Sequence, residues 1–170
     1  KNINNTPHNY KLADTKEKIS EIIKILESVV EICFDTETTG IDANDAELVG
    51  MSFAVKPGEA YYVPCPADQQ KTKEILAQFD SLFADKSKTW IGQNLKYVML
   101  VLRWYDVELQ GKIFDTMLAH YVIEPDGKRG MDVLSAKYLG YEPVHIEELI
   151  GKKVPKNSKA APQGTMRDVE

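Results

Sequence analysis

The sequence predicts an α/β fold: a mixed sheet of three antiparallel strands extended by parallel ones and flanked by helices. Three observations lead there. Apolar runs of strand length come early, at Ile32–Phe34, Leu48–Val55 and Ala60–Val63, and Pro57-Gly58 between the last two is a turn pair that closes an antiparallel hairpin. Apolar residues at helical spacing then alternate with short strand-like runs, the order that lays parallel strands into a sheet with helices on its faces. The chain has 170 residues, the size of one domain around a single core.

Each element has its own signal. A polar, Asn-rich stretch precedes a short strand at Tyr10-Lys11-Leu12. Asp14 with Glu17 three residues later is a capping-box pattern, and Ile19, Ile22, Ile23, Leu26, Val29 and Val30 follow at amphipathic spacing, so a helix is predicted there. Ile32-Cys33-Phe34 is a strand running into Asp35-Thr36-Glu37 and a turn at Thr39-Gly40. Pro64 and Pro66 close the hairpin, and Ile75, Leu76, Phe79, Leu82 and Phe83 predict a helix from Gln69 to Phe83. Thr89-Trp90-Ile91 reads as a buried strand and Gly92-Gln93 as a turn. Asn94 is then the N-cap of a helix carrying Leu95, Val98, Met99, Val101, Leu102 and Tyr105. Ile113-Phe114 delivers Asp115 to the start of a helix through Ile123, with capping as the expected role of that carboxylate. A loop at Pro125–Gly130, a helix at Met131–Leu139 stopped by Gly140 and a helical turn at Ile146–Ile150 complete a domain over residues 1–150. From Gly151 the sequence turns lysine- and proline-rich, so residues 151–170 are expected to be a flexible basic loop or tail.

Composition excludes several classes. No apolar run reaches the roughly 18 residues of a membrane span. The net charge of −5 argues against clinging to nucleic acid through bulk charge, so any such contact is local. Cys33 and Cys65 lack the spacing of a disulfide framework or a structural zinc site, which fits a reducing, cytoplasmic setting. The N-terminal residues show no apolar signal-peptide core. His8, His120 and His145 share no metal-binding spacing, and His120, among apolar helix residues, reads as structural.

The chemistry concentrates at Asp35 and Glu37. Residues two apart on a strand project from the same face, so two carboxylates stand side by side at the strand's end. They repel unless a hard divalent cation sits between them, and oxygen ligands suit Mg2+ or Mn2+. An acidic strand end with nothing bound is the alternative.

FDTETTG at 34–40, GQNLKY at 92–97, FDTMLAHYVIEP at 114–125 and GMDVLSAKYLG at 130–140 together resemble the proofreading 3′–5′ exonuclease domain of bacterial DNA polymerase I, from Tyr10 to the final residue. RNase D type exonucleases share the DxE pattern but less of the later segments. The resemblance implies a ribonuclease H-like sheet and two-metal hydrolysis of the 3′-terminal phosphodiester with Mg2+ or Mn2+, in a cytoplasmic bacterial protein. It implies that Asp35 and Glu37 are catalytic and metal-binding. The family's third acidic ligand falls at Val98, a degenerate position here, and its late YxxxD motif is absent from these residues. At most one ion is then well held. With a cation's contribution of several kcal/mol missing, hydrolysis is expected to be about a thousandfold slower or more. Helical spacing puts Val98 on the Asn94 face, and if Asn94 caps the helix that face points at the two carboxylates.

By the same resemblance Thr38, Ile41, Gln93, Asn94, Lys96, Tyr97 and Lys128 bind substrate, with Tyr97 offering a ring on which a base stacks. Turn and cap chemistry is the other reading of Gln93 and Asn94, helix packing that of Val98, and a solvated turn that of Lys128. The partners implied are the 3′ end of single-stranded DNA and a polymerase domain of the same parent chain, with no membrane and a monomeric fragment. The contrasting possibility is a non-catalytic scaffold or a 3′ single-strand-binding domain.

Overall fold

The computed structural model describes residues 1–152 and 163–169. Six strands form one sheet: β1 (Asn9–Leu12), β2 (Glu31–Thr38), β3 (Leu48–Lys56), β4 (Glu59–Pro64), β5 (Thr89–Gly92) and β6 (Lys112–Asp115), in the order β1-β4-β3-β2-β5-β6. β2, β3 and β4 are antiparallel, whereas β5 pairs parallel to β2, β6 to β5, and β1 to β4. This is the ribonuclease H-like mixed sheet expected. The helices are α1 (Lys16–Glu27), α2 (Gln69–Ala77), α3 (Asp80–Phe83), α4 (Leu95–Arg103), α5 (Thr116–Ile123), α6 (Met131–Leu134) and α7 (Ile146–Ile150). Among the described residues no helix is long and apolar enough to cross a membrane.

The two faces of the sheet differ, and that difference positions the site. One face carries Ile32 and Phe34 of β2, Met51 and Phe53 of β3, Tyr61 and Val63 of β4 and Trp90 of β5, all buried with Ile19, Ile22 and Leu26 of α1, Leu76, Phe79, Leu82 and Phe83. Phe34, Phe53 and Phe79 stack in series, with ring centroids 4.9 and 5.4 Å apart. The other face holds Tyr10 and Leu12, Tyr62, Ser52, Cys33, Asp35, Glu37 and Phe114, each exposed or half-buried.

Several local expectations are corrected. The α1 cap is Thr15, whose hydroxyl accepts the Lys18 amide, while Asp14 instead pairs with the Lys18 amine at 2.7 Å. Val30 lies beyond the end of α1 and is exposed. The helix predicted over Gln69–Phe83 is two helices, because the amides of Gln78 and Phe79 bond three residues back and tighten the turn, setting Phe79 fully inside the core. Met131–Leu139 is helical, but its second half, Ser135–Leu139, is a π turn closed by Gly140 at φ +58°.

Buried Lys88 was not anticipated. Its amine donates to the carbonyls of Leu26, Glu27 and Val29 at 3.2, 2.8 and 2.6 Å and so caps the C-terminal end of α1. The expectation of a flexible tail falls partly on residues 153–162 and 170, which lie outside the described residues. Within 163–169, Met166–Asp168 form a 3-10 turn capped by the Thr165 hydroxyl.

Candidate metal centre and nucleic-acid interface

β2 runs past its apolar half to Thr38, so Asp35 and Glu37 lie within the strand on the face opposite Phe34 and Thr36. Asp35 pairs across the ladder with Ser52 and Glu37 with Gly50. Both carboxylates are half-buried. Burial pushes the Asp35 carboxyl above its ordinary value, against the lowering effect of the Thr36 amide that donates to Oδ1 at 2.9 Å. Burial also raises Glu37, and the neighbouring Asp35 charge raises it further. The pair therefore holds two partly desolvated anions that repel each other.

Gly50 matters to this pair. A Cβ there would fall 2.1 Å from the Tyr62 hydroxyl oxygen, so the glycine gives the Tyr62 ring room to cross β3 toward Glu37. Burial and then the Glu37 charge hold the Tyr62 phenol above its ordinary value. A glycine inside an apolar strand run was the available signal for this close approach.

The turn after the carboxylates is tied to α4. The Thr38 hydroxyl meets the Tyr97 hydroxyl at 2.7 Å and reaches the Gly40 carbonyl at 2.9 Å, and Tyr97 also donates to the Gly40 carbonyl. Tyr97 is thus half-buried and fixed against the turn. Ile41, at the tip, is 93% exposed.

The start of α4 departs from expectation. Asn94 occupies the N-cap position in the left-handed region, at φ +58°, and its side chain makes no cap bond. Asp115 does that work: its carboxylate accepts the amides of Asn94 and Leu95 at 3.2 and 2.7 Å, and those of Met117 and Leu118 at 2.9 and 3.2 Å. The capping role read for Asp115 holds and extends to a second helix. Val98 is 2% exposed and belongs to the apolar core with Leu95, Val101 and Leu102.

Gln93 donates to the Arg129 carbonyl at 2.7 Å and accepts from the Thr116 hydroxyl, so it joins β5 to the 125–130 loop and to α5. Lys96 and Lys128 are exposed. Arg129 folds back over its own loop, its guanidinium over the Tyr121 ring at 4.9 Å and bonded to the Pro125 carbonyl. The structure therefore brings Asp35, Glu37, Thr38, Ile41 and Tyr97 to one end of the sheet, and links Gln93 to the loop that carries Lys128. Sequence reasoning missed Gly50, Tyr62 and Arg167, whose guanidinium reaches the end of β3.

Two half-buried oxygen donors of like charge fit a hard divalent cation whose remaining positions are filled by water or phosphate oxygens. They do not make a full protein cage. Among the described residues no group of three or more His, Cys, Asp or Glu side chains is placed to hold a metal ion.

Residues 10–163 match the family model described as 3′-5′ exonuclease. The chain belongs to the 3′–5′ exonuclease family of DNA polymerase I. It is 41% identical over 139 residues to DNA polymerase I of Pseudomonas aeruginosa, which covers 76% of this chain and 15% of that protein, so the chain spans under a fifth of the relative's length. Solved structures share the fold at low identity. The catalytic core of RRP6 from Trypanosoma brucei superposes with a TM-score of 0.67 at 13% identity, over 91% of this chain and 40% of the other. Brucella melitensis NrnC with bound Mg2+ gives 0.63 at 16%, over 89% and 70%.

Proposed function

We propose that this exonuclease domain binds one divalent cation, Mg2+ or Mn2+, through Asp35 and Glu37, and hydrolyses the 3′-terminal phosphodiester of single-stranded DNA very slowly or not at all. The observation that carries this reading is the contrast between the carboxylate pair and position 98, which the family resemblance makes the third ligand. Two carboxylates stand together at the end of β2 with raised pKa values, while position 98 holds a valine 2% exposed in the core. The Mg2+ bound by NrnC, of the same fold, supports the class of cation.

Asp35 and Glu37 would hold the ion, which when bound supplies Lewis-acid polarisation of a phosphoryl oxygen and a more acidic water. Thr38, the Gly40 carbonyl and Tyr97 fix the turn that presents Ile41 as an apolar wedge beside the terminal nucleotide. Lys96 and Lys128 meet phosphates from exposed positions, and Gln93 and Asn94 shape the edge between them. In-line hydrolysis uses two ions about 3.5–4 Å apart, and a valine supplies no oxygen for the second. Val98 packs into the apolar core, a place that calls for no ion; this favours a scaffold or 3′-end-binding role beside a polymerase domain of the same parent chain. We assign the domain to the bacterial cytoplasm and the isolated chain to the monomeric state.

The test is a time course on a 5′-labelled single-stranded oligonucleotide with Mn2+ and the purified chain. The expected result is no ladder above the metal-free control, alongside retained binding of the oligonucleotide in fluorescence anisotropy. Metal-dependent release of mononucleotides at a proofreading rate would overturn the reading.

A further inference from the structure

Opposite the carboxylates, β3 carries a bulge. Glu37 pairs with Gly50 but Thr38 pairs with Leu48, so Val49 is the extra residue. A bulge disrupts the ladder and re-aims the strand beside it, so the freed backbone groups need other partners. Here side chains from distant elements take them. The Leu48 amide donates to the Tyr105 hydroxyl at 2.9 Å. The Leu48 carbonyl accepts from Arg167 Nη2 at 2.7 Å, and the Cys65 carbonyl accepts from Arg167 Nη1 at 2.9 Å. Between those two anchors the Cys65 amide bonds the Val49 carbonyl at 2.8 Å, so the guanidinium straddles the bulge. The Glu47 carboxylate lies 3.6 Å from the same guanidinium, and the Glu47 backbone exchanges bonds with Thr39, at 3.0 Å to its amide and 2.9 Å to its hydroxyl.

The turn after the carboxylates is thus held from two sides, by Tyr97 on α4 and, through Glu47, Leu48 and Cys65, by Arg167. The arginine side chain is 24% exposed, and its partners lie more than a hundred residues away in the chain. Two carbonyls at a fixed separation suit a planar fork and not a single ammonium.

We infer that Arg167 is a positioning residue of the carboxylate site: its guanidinium locks the Val49 bulge and so sets where Glu37 and Thr38 are presented. The inference rests on the reading of Asp35 and Glu37 as a cation site. It assigns the segment after residue 162 a task at that site which composition alone does not show. Arg167 acts through the backbone of β3 and touches neither carboxylate.

The test compares the full 170-residue chain with Arg167→Lys and, as a control for loss of a guanidinium elsewhere, Arg103→Lys, an exposed residue paired with Glu108. Mn2+ affinity is read by titration calorimetry, the geometry of bound Mn2+ by its electron paramagnetic resonance line shape, and the bulge by amide exchange at Thr39 and Cys65. Arg167→Lys should weaken Mn2+ binding about tenfold, the low end of what is lost when a group that orients a metal ligand is removed, and alter the line shape. It should also speed exchange of those two amides while leaving Ile32 and Trp90 unchanged; Arg103→Lys should do none of this. Equal Mn2+ affinity and line shape in Arg167→Lys and the parent overturn the inference, as does equal weakening in both variants. If the parent binds no Mn2+, the cation-site reading fails by itself and amide exchange decides the clamp: selective acceleration sustains it, and unchanged exchange removes it.

Discussion

On β2 the side chains alternate between two environments: Phe34 and Thr36 enter the core, while Asp35 and Glu37 face the half-covered side of the sheet. Both carboxyls titrate above their ordinary values of 3.8 and 4.5, chiefly because burial disfavours the anion. The folded chain therefore binds their protons more tightly than the unfolded chain, and stability falls as pH rises from those ordinary values through the raised ones. Asp35→Asn removes one of the two repelling charges. Without metal, its melting temperature at pH 7 should exceed that of the parent, with the difference vanishing below about pH 3, where both carboxyls are protonated in either state. Calorimetric scans across that range check the sign; a parent that gains stability steadily from about pH 3 to 7 relative to the variant would contradict it. Val98→Asp tests the neighbouring position. A carboxylate 2% exposed among Leu95, Val101 and Leu102 should lower metal-free stability by about 2–5 kcal/mol and titrate high. If position 98 faces the carboxylate pair, Mn2+ should restore more melting temperature to this variant than to the parent. Equal shifts would place position 98 away from the site.

At the scale of elements, Asp115 joins two helices. One carboxylate accepts from the starts of both α4 and α5, so the element carrying position 98 and the element after β6 share a single cap. Each cap contributes about 1–2 kcal/mol, and Asp115→Ala should cost about 2–4 kcal/mol, measured by urea denaturation. A loss under 1 kcal/mol would mean that water replaces the carboxylate at both helix starts. The cap of α5 was legible because Asp115 directly precedes that helix. The cap of α4 was not, since it depends on β5 and β6 lying side by side, a non-local fact. Asn94 was misread for a related reason: its position is right, but a left-handed backbone turns its side chain away from the cap geometry. Phe79 broke a helix that periodicity ran straight through, because core packing outweighs spacing when an aromatic ring stacks on Phe53.

For the whole molecule, the alternation of strand and helix signals conveyed the mixed sheet, and period-two spacing conveyed the shared face of Asp35 and Glu37. Neither fixed the strand order or the β1 pairing with β4, because register between distant strands depends on packing that no local pattern encodes. The bulge at Val49 and its contact with Arg167 were hidden for the same reason, since they join segments more than a hundred residues apart. The central claim is that one face of this sheet carries a divalent-cation site built on Asp35 and Glu37 and, among the described residues, lacking a further carboxylate. Calorimetric titration of Mn2+ into the parent chain and into Asp35→Asn tests it most directly. The account predicts one weakly held ion per parent chain and none in the variant; saturable binding of equal affinity in both would contradict it.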